Sequence, residues 1–154
     1  MSAPAPLPEL PVLPVTFRPT RTRVVLLTVG AALFVVLVVV ALLLPALTAG
    51  ERSVFMITGL FFFLVLLLLS RPKVVAAPDG VTVVNLTTTR RLAWAEVLRV
   101  NLRPGDPWVH LDLADGTSLP AMGIQPGIAK AQAIGDARTL RALTEAYGTG
   151  QDAA

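Results

Sequence analysis

Residues 53–84, SVFMITGLFFFLVLLLLSRPKVVAAPDGVTVV, change character abruptly near position 70. The first part carries no charged side chain and no proline, whereas the second part consists of short apolar runs broken by Pro, Asp and Gly. An Asp-Gly pair between two apolar runs, as at Asp79–Gly80, is typical of a two-residue β-hairpin turn. The stretch therefore predicts a membrane-spanning helix followed almost at once by a β domain.

Another apolar run, VVLLTVGAALFVVLVVVALLL at 24–44, lies before this stretch. At a rise of ~1.5 Å per residue it is about 31 Å long, which matches the hydrocarbon core of a bilayer. Because only a short segment joins it to the next span at about 53–70, residues 21–70 are expected to form a transmembrane helical hairpin. A cleaved signal peptide is the alternative, but the run exceeds the usual core of about 7–15 residues and no A-x-A-like cleavage site follows.

The distribution of charge predicts the orientation of this hairpin. The chain has 154 residues, of which 54% are hydrophobic and only 15% are charged, and its Ala, Val, Gly, Pro and Arg content is typical of a GC-rich bacterial genome. Basic residues flank the outer ends of the spans, at Arg18, Arg21, Arg23, Arg71 and Lys73. The turn between the spans carries only Arg52, which Glu51 offsets. The positive-inside rule therefore predicts a multi-pass protein of the bacterial inner (plasma) membrane with both termini in the cytoplasm.

Several classes of function are disfavoured by what the sequence lacks. There is no cysteine, which excludes disulfides, thiolate metal sites and cysteine nucleophiles. Neither predicted span contains an ionisable residue, although transporters, proton relays and channels usually need one there. The net charge is only +3, so nucleic acid is not an expected partner, and no cofactor is expected. The hairpin is therefore interpreted as an anchor in the lipid bilayer.

The N-terminal segment APAPLPELPVLP, at 3–14, allows two interpretations. Pro8, Pro11 and Pro14 recur at a period of three, which equals the three residues per turn of a polyproline II helix. Such a helix could dock in an aromatic-lined groove of a partner. The alternative is that residues 1–20 form a disordered, semi-rigid tail.

The remainder of the chain predicts a small domain over residues 71–148 and a disordered tail over 149–154. Short strands are expected near 73–77, 81–86, 90–94, 97–103, 108–113 and 117–121. Alternation assigns to the core Leu92, Trp94, Leu98, Val100, Leu102, Val109, Leu111 and Leu113. From about Ile128, apolar residues recur at spacings of three and four, at Ile128, Ala131, Ile134, Ala137, Leu140, Leu143 and Tyr147. This pattern predicts an amphipathic helix that covers the antiparallel sheet.

The segments "RRLAWAEV" and "GDPW…LDLADGT…LP", placed after two spans and before a terminal helix, carry a family resemblance. The chain resembles actinobacterial membrane proteins with a bacterial PH-like domain, and is similar to the family named for the mycobacterial low-molecular-weight protein antigen six. The resemblance covers about residues 18–147. It implies an α+β membrane protein in which a strongly bent antiparallel sheet is closed at one end by the C-terminal helix. A full PH domain has seven strands, whereas the sequence offers six candidates, so a truncated or open barrel is expected.

Candidate sites are few. No catalytic residue is expected, because His110, the only histidine, has no nucleophile placed beside it by the sequence. No metal site is expected, because the aspartates follow no ligand spacing. Trp108 and His110 are candidate partner contacts, and Trp108 is equally a candidate interfacial membrane anchor. Arg71, Lys73, Arg90 and Arg91 are expected to form a membrane-proximal basic collar.

Together these patterns predict a non-enzymatic, membrane-anchored interaction module that binds a protein partner or serves as an accessory subunit of a membrane complex. The alternative is a peripheral sensor of anionic lipid headgroups, which the basic collar would favour. The turn between the first two strands, APDG, has no basic residue. PH domains that bind phosphoinositides use a basic loop there, so the resemblance carries no lipid specificity over.

Overall fold

The computed structural model describes residues 9–148, which fall into two compact units. Residues 20–71 form a helical unit. The described residues on both sides of it, 9–19 and 72–148, form a second unit made of strands and one long helix. The chain therefore leaves the second unit after residue 19, builds the helical unit, and returns to the second unit at residue 72.

The helical unit is an antiparallel pair, α1 (Thr20–Leu43) and α2 (Ala49–Leu69). Each helix is long and apolar enough to cross a membrane, with 24 and 21 residues, and most of their large side chains are exposed. Gly30 faces Phe63 and Leu66 of the other helix, and a Cβ atom there would lie 3.2 Å from the Leu66 Cδ1 atom. The two helices thus approach closely where a side chain is missing, as is common in membrane helix pairs.

The second unit contains seven strands and the C-terminal helix. In chain order these are β1 (Val15–Phe17), β2 (Lys73–Ala77), β3 (Gly80–Val84), β4 (Thr89–Leu92), β5 (Val97–Asn101), β6 (Val109–Leu113), β7 (Ser118–Ala121) and α3 (Lys130–Gly148). One antiparallel sheet has the order β1-β2-β3-β4 and the other the order β5-β6-β7. A short 3-10 turn, Trp94–Glu96, joins the two sheets. This is the expected α+β arrangement, a PH-like domain with two apolar helices.

Strand β1 was not predicted from the sequence. The expectation of a disordered tail over residues 1–20 is wrong at its end, because Val15–Phe17 pairs with β2 in the register Val15↔Ala76 to Phe17↔Val74. Phe17 is only 5% exposed and belongs to the core. The seventh strand thus lies before the helical hairpin. The expectation of six strands in a truncated or open barrel is wrong, because the domain has seven strands in two sheets.

The core confirms most of the predicted alternation. Val109, Leu111 and Leu113 are buried, and so are Leu92 and Trp94. Trp94 lies in the 3-10 turn rather than on a strand, and its Nε1 atom donates to the carbonyl oxygen of Ala77 at 3.0 Å.

Leu98 is the clear exception in the core, because its side chain is 62% exposed. A register shift between Val97 and Arg99 interrupts the pairing of β5 with β6. An extra residue in one strand moves the following side chains to the other face. Val97 before the shift and Val100 after it are thus both buried although they are three residues apart, and Leu98 between them points away from the core.

Helix α3 begins later and is rotated relative to the predicted stripe. Ile128 lies before the helix and is 60% exposed, and Ala131 is also exposed, whereas Ala133 is buried. Ala137, Leu140 and Leu143 are buried as expected, whereas Ile134 is half-buried and Tyr147 is 38% exposed. The helix ends against the 3-10 turn, where Tyr147 stacks on Trp94 with ring centroids 5.4 Å apart.

The predicted β2–β3 hairpin is present, but its two-residue turn is Pro78–Asp79 rather than Asp79–Gly80, because Gly80 already pairs with Ala77. Gly80 has a φ angle of +149°, and a Cβ atom there would clash with the carbonyl oxygen of Leu92, the last residue of β4. Glycine is the residue that adopts such backbone angles readily. The turn therefore fixes both the β2–β3 hairpin and the close approach of the chain as it leaves β4.

Candidate functional site

The structure divides the predicted basic collar. Lys73 and Arg91 lie on the same face of the first sheet, because Lys73 alternates with the buried Val74, and Arg91 with the buried Leu92. Arg90 points to the other face, since successive side chains of a strand alternate. Arg71 ends the helical unit, where its backbone N–H donates to the Leu68 carbonyl oxygen at 3.1 Å. The four residues do not form one cluster within the sheet, and their role as a collar stays a prediction.

Arg90 also faces an acid of its own domain. The pKa of Asp115 is lowered mainly by hydrogen bonds from the side chain and backbone of Thr117, and the charge of Arg90 lowers it further. The hydroxyl of Thr117 lies 2.6 Å from the Asp115 carboxylate. The charge of Arg90 thus interacts favourably with the Asp115 carboxylate in the β6–β7 turn.

Trp108 and His110 do come together, as the alternation predicted. Their ring centroids lie 6.5 Å apart and both residues are half-buried. The indole Nε1 atom of Trp108 is buried and has no hydrogen-bond partner among the described residues. Their role as a partner contact stays a prediction.

A small cavity of about 200 Å³ opens beside His110 on the outer face of the second sheet. Its lining includes Asp106, whose carboxylate oxygen is 4.0 Å from the imidazole Nδ1 atom of His110. It also includes Ser118, which the sequence did not place near the histidine. Ser118 pairs with Asp112 in the sheet, and no hydrogen bond between Ser118 and His110 is found in the described part of the chain. Ser118 and His110 thus line the same cavity without being bonded to each other.

Other polar groups of this cavity bond to one another. The Asn101 side chain donates to the Asp112 carboxylate at 2.5 Å across the two strands. The Asp106 carboxylate accepts from the backbone N–H of Arg103 at 2.9 Å and so closes its own turn. Within residues 9–148, no group of three or more His, Asp or Glu side chains could hold a metal ion. The arrangement is typical of a polar surface that stabilises one turn and the pairing of β5 with β6.

The Pro-rich segment is only partly described, because Pro8 lies outside the described residues. Pro14 is exposed, while Leu13 packs against the core of the domain. The leucine that precedes Pro14 therefore contributes to folding, and a docking role of the three prolines stays a prediction.

A larger concavity was missed by the sequence interpretation. A cavity of about 610 Å³ lies between the β5–β6 connection and α3, with Leu102, Pro126, Ile134 and Ala137 among its lining residues. Four basic side chains also line it, at Arg103, Lys130, Arg138 and Arg141. The sequence does contain a series of basic residues on α3. By themselves these residues indicate only a solvent-exposed helix face, because the β5–β6 connection that completes the cavity cannot be placed from the sequence.

Comparison with known proteins agrees with this architecture. Residues 71–143 match a family model described as a bacterial PH domain, a range that begins after the hairpin and so leaves out β1. The chain is 35% identical over 89 residues to uncharacterized proteins of Mycobacterium bovis and of two Mycobacterium tuberculosis strains. These alignments cover 58% of this chain and 57% of each relative.

No solved structure matches the chain at a significant level. The narrower relation to the antigen six family stays a prediction. Sequence similarity and the two-sheet arrangement with its C-terminal helix nevertheless agree on one description. The second unit is similar to bacterial PH domains, and its first strand is contributed from before the helical hairpin.

Proposed function

We propose that the protein is a multi-pass inner-membrane protein whose PH-like unit is a non-enzymatic interaction module at the cytoplasmic face. In this proposal α1 and α2 cross the membrane and return, and the domain binds a protein partner or joins a membrane complex as an accessory subunit. The similarity to mycobacterial proteins supports an actinobacterial origin, and membership of the antigen six family is part of the proposal.

The pairing of β1 with β2 is the observation that carries the membrane part of the proposal. Phe17 and Val74 are partners in one sheet, although the whole helical hairpin separates them in sequence. Two hydrogen-bonded strands lie on the same side of any bilayer. A chain that leaves from β1 and comes back at β2 must therefore cross an even number of times, and two apolar helices of 24 and 21 residues provide two crossings.

The cytoplasmic orientation is supported by charge. Arg18, Arg21 and Arg23 precede the core of α1, and Arg71 and Lys73 follow α2. At the start of α2, next to the turn between the helices, Glu51 and Arg52 offset each other. The Arg52 guanidinium donates to the Leu44 carbonyl oxygen at 3.4 Å. Positive side chains are retained on the cytoplasmic side.

Cysteine labelling tests this topology cleanly, because the chain has no cysteine of its own. Ala46→Cys places a thiol in the exposed turn between the helices, and Thr87→Cys places one in the exposed β3–β4 connection. An impermeant maleimide should label the first variant in intact cells and the second only after the membrane is opened. The reverse pattern would overturn the orientation, and equal labelling of both in intact cells would refute the two crossings.

The interaction role is supported by how the polar surface is used. The aspartates beside His110 are engaged by Asn101 and by the backbone of Arg103, which leaves no base poised against a nucleophile. Catalysis generally needs such a pair held in reach of each other.

A lipid-sensing function is the second candidate, and the shared face of Lys73 and Arg91 favours it. Titration of the detergent-solubilised full chain with soluble glycerol phosphate and inositol phosphate distinguishes the two functions. Lipid sensing predicts a preference for one headgroup that survives about 0.5 M salt and is lost in Lys73→Ala/Arg91→Ala, because a hydrogen-bonded pocket is less screened than exposed charges. Weak binding that disappears with salt and ignores the headgroup would contradict it.

A further inference from the structure

We propose that the groove between α3 and strand β5 binds an acidic segment of the partner protein, with an apolar side chain of that segment seated on the groove floor. We call this surface the α3 groove. This inference rests on the proposed interaction function and names the surface and the chemistry of the partner that it takes.

The α3 groove is elongated. The cavity of about 610 Å³ adjoins a second of about 360 Å³ that lies against β5, and both are lined by Arg141. Along α3 the lining runs from Lys130 to Glu145, which at ~1.5 Å per residue is about 22 Å. A trench of this length suits several residues of a polypeptide better than one compact headgroup.

The floor of the α3 groove is apolar. Ile134 and Leu102 are half-buried, so each presents part of its side chain to the groove. In the adjoining part, Leu98 is 62% exposed, because the register shift in β5 turns it away from the core. Apolar side chains exposed in a concave surface are typical of binding sites.

The rim of the α3 groove is basic along the larger cavity, whereas one acid, Glu145, lines the smaller cavity beside Arg141. Over residues 9–148, no salt bridge is found at Arg103, Lys130 or Arg138. Arg141 donates to a neutral acceptor, the carbonyl oxygen of Val100, at 2.8 Å. Asp106 is the single acid of the larger cavity, and its carboxylate is held by the backbone N–H of Arg103.

The position of Lys130 strengthens this argument. It is the first residue of α3, and no acidic residue occupies the first turn of the helix. A positive charge at a helix N-terminus opposes the helix dipole, which destabilises the helix slightly. The positive charge of Lys130 is thus not explained by the stability of α3. Residues that are locally unfavourable in this way are expected at functional surfaces.

Strand β5 favours a peptide as the occupant. It is the outer strand of the order β5-β6-β7, so its outer edge has no strand partner among the described residues. The carbonyl oxygen of Val100 accepts from the side chain of Arg141. An open strand edge beside an apolar trench is a surface that accepts an extended polypeptide. The basic rim selects one that carries carboxylates.

Photocrosslinking of the full chain in native membranes tests the inference. p-Benzoylphenylalanine replaces Ile134 on the groove floor, or Thr87 on the exposed β3–β4 connection as a control. Each is combined with Lys130→Glu/Arg138→Glu, or with Arg91→Glu as a charge reversal away from the groove. Crosslinked species are identified by mass spectrometry, and the attached peptide is sequenced.

The expected result is a protein crosslink at Ile134 whose attached peptide is rich in Asp and Glu. Its yield should fall about tenfold or more with the groove reversals and persist with Arg91→Glu, because attraction across an interface depends on charges at the contact. Crosslinks to lipid, an attached peptide without acidic residues, or indifference to the groove reversals would overturn the inference. Protein crosslinks at Thr87 alone would refute the α3 groove but leave the interaction function standing, whereas no protein crosslink at either position would contradict both.

Discussion

Removing the side chain of Phe17 should unfold or strongly destabilise the PH-like unit, although the residue lies before the first apolar helix. Phe17 is 5% exposed and packs in the same core as Val74 and Leu111. A phenylalanine buries roughly 150–250 Å², which at ~25 cal/mol per Å² is worth about 4–6 kcal/mol. Alanine retains the Cβ atom, so Phe17→Ala is expected to cost about 3–5 kcal/mol.

Urea unfolding of the detergent-solubilised chain measures this effect, because Trp94 and Trp108 are the only tryptophans and both belong to the β unit. With a slope of about 1–3 kcal/mol per M of urea, the midpoint should fall by roughly 1–5 M. Phe17→Leu retains most of the volume and should cost less than about 1.5 kcal/mol.

The neighbouring Thr16 supplies the control. It is exposed on the same short strand, so Thr16→Val should change stability by less than about 0.5 kcal/mol. If Phe17→Ala and Thr16→Val gave the same midpoint, β1 would not belong to the domain, and the topological argument from its pairing with β2 would fail with it.

Three further outcomes are expected from the same urea assay. Leu111→Ala, at a fully buried position, should cost ~2–5 kcal/mol, whereas Arg99→Ala on the exposed face should cost less than about 0.5 kcal/mol; similar costs would show the faces to be wrongly assigned. Asn85→Ala should cost about 1–3 kcal/mol per buried group left unpaired, because the Asn85 side chain donates to the Pro120 carbonyl at 2.8 Å and accepts from the Met122 N–H at 3.1 Å; a neutral result would mean that these two bonds do not join the sheets. Burial raises the pKa of Asp136 above its ordinary 3.8, and a hydrogen bond from Gln132 only partly offsets this increase. Because the folded state binds the proton more tightly than the unfolded state, the contribution of Asp136 to stability falls as the pH rises above 3.8. Asp136→Asn should therefore stabilise the domain at neutral pH, and this gain should disappear in acid below the unfolded pKa; a gain that is constant with pH would contradict the assignment.

The local elements were predictable because each depends on nearby residues. The two helices follow from uninterrupted apolar runs, and β2 falls at the predicted positions 73–77 because it is bounded by Pro72 and by the Pro78–Asp79 turn. Periodicity also gave the buried face of β6 and most of that of α3. These patterns report which face of an element meets the core, and that information is local.

Leu98 and Ser118 show where local reasoning failed. A β-bulge is a property of the pairing between β5 and β6, so perfect alternation in one strand does not reveal it. Ser118 reaches the cavity beside His110 because β7 pairs with β6. Both outcomes depend on a register that neither strand carries alone.

The amino-acid sequence by itself determined the two apolar helices, the positive flanks, the hairpin turns and the family resemblance, because hydrophobic runs, charge and turn residues act over a few neighbouring positions. Only the tertiary structure decided that Val15–Phe17 completes the first sheet and that basic residues of α3 and the β5–β6 connection line one groove. A three-residue strand has almost no periodicity, and its stability comes from burying Phe17 among residues that follow it only after the whole hairpin. Contacts between segments so far apart in sequence are fixed by the packing of the complete core, which no local pattern encodes.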